Sequence, residues 1–186
     1  SQFYRAWTEL PIGGIDGLIV TGAPVEMLPF ESVRYWAELT RVLDWARHHV
    51  RQTLYVCWAA QAALYHFHDV PKHLLDRKMF GVFRHKIVRP NSDLLRGFND
   101  EFSIPVSRHT ETRSEDIPDK PGLHILAESK ESGLCLMEDI PHRSIYMFNH
   151  LEYDADTLKT EYDRDIAAGE PIHIPHNYYQ IGRAHV

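Results

Sequence analysis

Clusters of basic residues are missing from this sequence. Twenty Lys and Arg stand against twenty-six Asp and Glu, a formal net charge of −6, and no run gathers cations into the patch that a nucleic-acid surface needs. An anionic ligand must therefore be met by a few local cations. Also missing is any apolar run near the roughly 20 residues of a membrane helix. Neither nucleic acid nor a membrane is an expected partner. Cysteine is scarce: Cys57 and Cys135 are too few for a disulfide framework, so a reducing, cytoplasmic setting is expected. The sequence opens at Ser1 without methionine or a signal-peptide pattern, and it carries no internal repeat, long linker or low-complexity stretch.

What is there reads as one globular domain over residues 1–180. A hydrophobic fraction of 44% and a charged fraction of 25% in 186 residues suffice for a substantial core. The chain enters a strand pattern soon after Ser1, as if cut within a domain whose N-terminal part is absent. Residues 181–186, Ile-Gly-Arg-Ala-His-Val, follow a natural stop at Asn177-Tyr178-Tyr179 and are read as a non-native tail.

Short apolar runs at 16–22 and 53–56 are expected as buried parallel strands. A helix is expected over 31–50, where Trp36, Leu39, Leu43, Ala46 and Val50 recur at helical spacing. An alanine-rich helix is expected over 58–68. Further strands are expected at 81–88, 123–126, 133–137 and 144–148. A last helix at 154–168 places Leu158, Tyr162 and Ile166 on one side, with Asp154 as N-cap and Gly169 as stop. Strands alternating with helices predict an α/β sheet, and the later strand cluster predicts a mixed edge or a β-ribbon insertion.

Three segments carry chemistry. In Val56-Cys57-Trp58-Ala59-Ala60-Gln61 a strand ends, a cysteine follows, and small residues open a helix, the layout of a nucleophile elbow. A thiol there sits over a helix N-terminus that favours thiolate, and the Trp58 N–H would face a developing oxyanion. The plainer reading of Cys57 is a small buried hydrophobe. In His150-Leu151-Glu152, residues two apart on an extended segment share a side, so the carboxylate can orient the imidazole as base for a thiol. A surface His and Glu at a strand end is the plainer reading. In Thr21-Gly22-Ala23-Pro24-Val25-Glu26, a glycine loop ends a parallel strand where α/β ligand sites form, and Gly22 and Ala23 offer oxyanion donors. That pattern is also ordinary turn chemistry. The 13 His suggest no metal site: His48-His49 and His66/His68 do not share a helix face, and no ligand set completes a zinc pattern.

Taken together, Asp16-Gly17-Leu18-Ile19-Val20-Thr21-Gly22-Ala23-Pro24, Cys57 through Leu64, Ser107-Arg108, His150 through Asp154 and Asn177-Tyr178-Tyr179 resemble the homoserine O-acyltransferases, relatives of class I glutamine amidotransferases. The resemblance runs from about Phe3 to Tyr179. It implies a class I glutamine amidotransferase-like, flavodoxin-like α/β fold, with a mostly parallel sheet flanked by helices and truncated at its N-terminus. It further implies Cys57 as a nucleophile forming an acyl-thioester, His150 as base and Glu152 as its partner. Lys78 and Ser107 match substrate contacts, Arg164 the arginine that holds the homoserine carboxylate, and Glu26 a switch for the acyl donor. A glutamate there disfavours a succinyl carboxylate, so acetyl-CoA is the expected co-substrate, with no resident cofactor and no metal. L-homoserine and a homodimeric assembly complete the expected partners. Asn149 and Leu151 depart from the residues common beside the family's histidine. Two rival readings stay open on the residues: hydrolysis or amide transfer from glutamine, and a non-catalytic domain on the same fold.

Overall fold

The structure, a computed structural model, describes residues 5–10 and 14–179. The tail read at 181–186 lies outside them. Seven strands form one sheet: β1 Ile15–Val20, β2 Val50–Val56, β3 His73–Ile87, β4 Glu101–Glu111, β5 Leu123–Ser129, β6 Gly133–Asp139 and β7 Ser144–Met147, in the order β1-β2-β7-β6-β5-β3-β4. Three helices accompany them: α1 Trp36–His49, α2 Trp58–His68 and α3 Thr157–Ala167.

The sheet is mixed, a correction to the mostly parallel one expected. Only β1, β2 and β7 run parallel; β7-β6, β6-β5, β5-β3 and β3-β4 are antiparallel. The reason is connection length. A parallel neighbour needs a crossover, which α1 supplies between β1 and β2 and the long stretch from α2 through β6 supplies between β2 and β7, whereas the short turns between β5, β6 and β7 permit only antiparallel return.

Helices α1 and α2 cover one face. Leu43 of α1 and Ala60, Ala63 and Leu64 of α2 pack with Tyr55, Met137, Tyr146 and Phe148. The opposite face gathers Leu126, Cys135, Leu136 and Met147 with Ile104 and Leu95. Helix α2 is buried nearly all round its first two turns, Trp58 through Leu64, which is why it carries alanines: only small side chains let a helix lie this close to a sheet.

Several expected bounds move. Helix α1 starts at Trp36 rather than at 31, after a single 3-10 turn at Phe30–Ser32 that turns Phe30 into the aromatic cluster with Trp36, Trp58 and Tyr65. Strand β3 begins at 73, not 81, and β4 was not anticipated at all. It is an edge strand, so Pro105 costs it no ladder hydrogen bond on its open side. Helix α3 starts at Thr157 with Asp156 as its cap residue, while the Asp154 N–H donates to Thr157 Oγ1 (3.0 Å). Gly169, at φ +72°, ends the helix as expected. Of its expected apolar side, Leu158 alone is fully buried and Ile166 is exposed.

The C-terminal segment lies along β3. Gly81 and His176 form an isolated parallel bridge, and a Cβ at Gly81 would stand 2.3 Å from the His176 nitrogen. Only glycine permits that approach.

Candidate active site

Strand β2 ends at Val56 and α2 begins at Trp58, leaving Cys57 to make the whole turn. It does so at φ +55°, ψ −122°, a conformation that costs a non-glycine residue about 1–3 kcal/mol and recurs at functional sites. Its N–H donates to the Met147 carbonyl at the end of β7 (2.7 Å). The elbow is thus pinned to the strand that leads to His150. Gly22, just beyond β1, fits against it: a Cβ there would lie 3.2 Å from the Cys57 Cβ and 3.3 Å from the Trp58 nitrogen. Gly22 therefore borders the Trp58 N–H.

The thiolate expected at Cys57 is corrected. Burial pushes the thiol up to about 11, the negative charge of Glu26 adds to this, and the Trp58 N–H only partly offsets it. The pull of a helix N-terminus, at most ~2 kcal/mol, loses to desolvation and a nearby carboxylate. At neutral pH the group is a thiol.

Parallel pairing of β2 and β7 brings the second half of the site to the same sheet edge. His150 follows β7, its N–H donating to the Pro105 carbonyl (3.0 Å). The ring is mostly covered, and its Nδ1 meets Glu152 Oε1 at 2.7 Å. An ionised carboxylate only accepts, so Nδ1 carries a proton, and in the neutral tautomer the lone pair is on Nε2. The ring stacks on Tyr153, with centroids 4.3 Å apart. Among the described residues no hydrogen bond joins the Cys57 sulfur to this ring.

Glu26 faces inward. Its Oε2 accepts from the His109 N–H at 2.9 Å and lies 3.2 Å from Thr110 Oγ1. Lys72 Nζ donates to its backbone carbonyl and to that of Leu28 (2.6 Å). The carboxylate is fixed, and its field is felt at Cys57.

Glu26, Lys78, Ser107 and Arg164, placed in four different segments, line one cleft of about 500 Å³. Lys78 is 8% exposed and pairs with Asp165 (2.9 Å) and Glu161 (3.3 Å). Ser107 Oγ donates to Glu161 Oε2 (2.6 Å), and the Tyr153 hydroxyl donates to Oε1. Arg164 stands at the rim, its Nε and Nη2 both on Asp165 Oδ1 at 2.8 and 2.6 Å, with the rest of its fork free. Glu161, Asp165 and Tyr153 were not anticipated. Spacing alone held a clue: Leu158, Glu161 and Asp165 share one helix face. Burial raises the Glu161 carboxyl, but hydrogen bonds from Ser107 and Tyr153 and the Lys78 charge bring it below its ordinary value. Tyr153 links the two groups, touching His150 with its ring and Glu161 with its hydroxyl.

One histidine cluster escapes any reading by spacing. His68 Nε2 and His142 Nδ1 both meet Asp139 Oδ2, at 2.7 and 2.6 Å. These three could hold a metal ion by residue type, but they are joined directly by hydrogen bonds. Lys120 Nζ lies 3.3 Å from His68 Nδ1. A lysine donor leaves Nδ1 as acceptor and Nε2 as the protonated atom facing the carboxylate.

With this geometry in place, the sequence profile of the family described as homoserine O-succinyltransferase matches residues 1–184. The chain belongs to this family. Relatives named homoserine O-acetyltransferase include one from Chelativorans sp. (strain BNC1), 54% identical over 95% of this chain and 57% of its own length. Another, from Cereibacter sphaeroides (strain ATCC 17025 / ATH 2.4.3), is 56% identical over 96% of this chain and 59% of its own. The chain thus spans under three fifths of the length of these relatives. Among solved structures, a glutamine amidotransferase from Thermotoga maritima matches with a TM-score of 0.69 at 13% identity, over 86% of this chain and 66% of that one. The glutaminase domain of a Trypanosoma brucei CTPS with bound acivicin matches at 0.59 and 16% identity, over 89% and 75%. At such identities the likeness shows the fold, a glutamine amidotransferase-like α/β architecture, and nothing of the chemistry. No helix among the described residues is long and apolar enough to cross a membrane.

Proposed function

We propose that this chain is the catalytic part of a homoserine O-acetyltransferase, which moves an acetyl group from acetyl-CoA to the hydroxyl of L-homoserine through an acyl-thioester on Cys57. The observation that carries the reading is the Cys57 elbow, held at one sheet edge with the His150–Glu152 pair and beside an inward-facing Glu26. The relatives named homoserine O-acetyltransferase support the same activity.

The thiol is protonated at neutral pH, so attack needs a base at the moment of bond formation. His150 serves, its Nδ1–H held by Glu152 and its Nε2 free to take the proton. The thiol–imidazole contact closes when substrate binds, as catalytic hydrogen bonds often do only in the liganded state. The Trp58 N–H, with Gly22 and Ala23 beside it, holds the oxyanion. CoA leaves as a thiol, receiving the proton from His150. Homoserine then binds in the cleft. An α-amino acid carries both signs, and this cleft offers both: Lys78 and Arg164 for the carboxylate, Glu161 and Asp165 for the ammonium. His150 next removes the hydroxyl proton, and the alkoxide oxygen takes the acyl group from sulfur.

Glu26 argues for acetyl over succinyl as donor, because a second carboxylate beside a fixed, partly buried one is repelled. Acetyl-CoA is then a co-substrate, and the product enters methionine biosynthesis. Unpaired Cys57 and Cys135 suit a cytoplasmic setting.

The test compares initial rates with acetyl-CoA and succinyl-CoA for the full-length protein, wild type against Glu26→Gly. Wild type should prefer acetyl-CoA, and the variant should gain succinyl transfer by about tenfold or more, the equivalent of ~1.4 kcal/mol. A wild type that uses succinyl-CoA equally well would contradict the donor assignment.

A further inference from the structure

Between β4 and the end of β7 lies a closed ring of buried polar groups that the proposed reaction does not use. Arg108, Asn149, His85 and Ser132 are each at most 4% exposed. Arg108 Nη1 donates to Asn149 Oδ1 (2.6 Å), and its Nη2 donates to the Ser132 carbonyl. Asn149 Nδ2 lies 2.9 Å from His85 Nε2, and Ser132 Oγ lies 3.2 Å from the same nitrogen. The amide nitrogen can only donate, so His85 Nε2 is the acceptor and the ring is neutral. The His85 proton then sits on Nδ1, which is buried without a hydrogen-bond partner among the described residues, and Asn149 is held from both ends of its amide.

We propose that Arg108 and Asn149 are positioning residues that set the His150 imidazole for proton transfer at Cys57. Asn149 is the neighbour of His150, which has its own backbone tie at Pro105. Fixing the Asn149 side chain against a buried guanidinium therefore fixes the start of the His150–Glu152 segment from inside. Chain geometry adds a second tie, because Arg108 sits between Ser107, which lines the cleft, and His109, whose N–H holds Glu26. One strand thus presents substrate and donor contacts on its outer face and the clamp on its inner face.

The charge of Arg108 points the same way. Among the described residues no carboxylate forms an ion pair with it and its Nε has no partner; Cys57, Glu111 and Glu26 act on its charge only from a distance. A buried cation without a directly paired carboxylate is costly, which argues for retention by function rather than for stability.

This inference rests on the acyl-transfer reading, and its tests separate the two. In the full-length protein, acetyl transfer by Asn149→Ala, normalised to the Cys57 that can be acylated, should fall about 10- to 100-fold, the effect of displacing a catalytic group by about 1 Å. KM for both substrates should stay within about twofold of wild type. Asn149→Asp keeps the acceptor for Arg108 but loses the donor to His85 Nε2, so it should recover only part of the rate. A wild-type rate in Asn149→Ala, or a loss seen only in KM, overturns the proposal. A measurement on wild type needs neither turnover nor a variant that folds: imidazole NMR of His85. Burial holds this ring down to about 4, helped by the charge of Arg108. Arg84, Lys86, Glu101, Glu128, Lys130 and Glu131 line the neighbouring cleft and are the other charged groups around it. The ring should stay neutral with Nε2 unprotonated down to about pH 4. Titration in the ordinary histidine range, or a proton on Nε2, overturns the clamp. If wild-type Cys57 is never acylated, the functional reading fails instead, whatever His85 does.

Discussion

At the scale of the residue, Cys57 stands in a field that opposes its ionisation and in a turn that strains its backbone. The strain follows from a single residue making the whole turn between strand and helix, the opposing field from burial and Glu26. The thiol is kept neutral until a base arrives, so positions around it matter more than its resting acidity. Gly22 shows this best. A methyl there would stand 3.3 Å from the Trp58 nitrogen and 3.2 Å from the Cys57 Cβ, over the donor that should meet the oxyanion. Gly22→Ala should lower the acylation rate by about 100- to 1000-fold, the range for losing one such donor, while the melting temperature moves little. Rate and thermal scan on one preparation check this. A variant acylating at the wild-type rate would remove Trp58 from the oxyanion site.

At the scale of the element, the joint between α2 and β6–β7 depends on Asp139. Burial alone would raise its carboxyl. Hydrogen bonds from His68 and His142 overcome this and hold it at about 2 against an ordinary 3.8. A carboxyl depressed in the folded state stabilises above its unfolded value and loses that contribution as pH falls through the folded one. The window is therefore about pH 4 down to 2, and the contribution above it is about 2 kcal/mol. Asp139→Asn should lower the melting temperature at pH 7 by about 4–8 °C, with the difference closing as pH approaches 2. A constant difference across that range would contradict the assignment. The elements also differed in how far they could be read in advance. Helix α2 was read to the residue, since β-formers give way abruptly to alanines at Cys57. Strand β4 was missed because its inward positions run Ile104, Val106, Arg108, Thr110: two apolar residues and then two polar ones that belong to the clamp and to the Glu26 support. Functional demands broke the alternation that betrays a strand.

At the scale of the whole molecule, the site forms where two kinds of sheet meet. The parallel strands β1, β2 and β7 bring Gly22, Cys57 and His150 to one edge by the rule that ligands gather at the carboxyl ends of such strands. The antiparallel β3–β4 ribbon brings Lys78, Ser107 and His109 across to meet α3. Sequence spacing captured the first group, because each member ends a recognisable strand. It did not capture the pairing of Lys78 with Glu161 and Asp165 or of His68 with Asp139, whose partners lie 83, 87 and 71 residues apart. The central claim is that the edge-bound thiol accepts the acyl group. Brief incubation of the full-length protein with acetyl-CoA in the absence of homoserine, followed by acid quench and peptide mass spectrometry, tests it most directly. The account predicts one acetyl group, on the peptide containing Cys57, discharged on adding homoserine. An acetyl group on any other residue, or O-acetylhomoserine formed by Cys57→Ala at the wild-type rate, would contradict it.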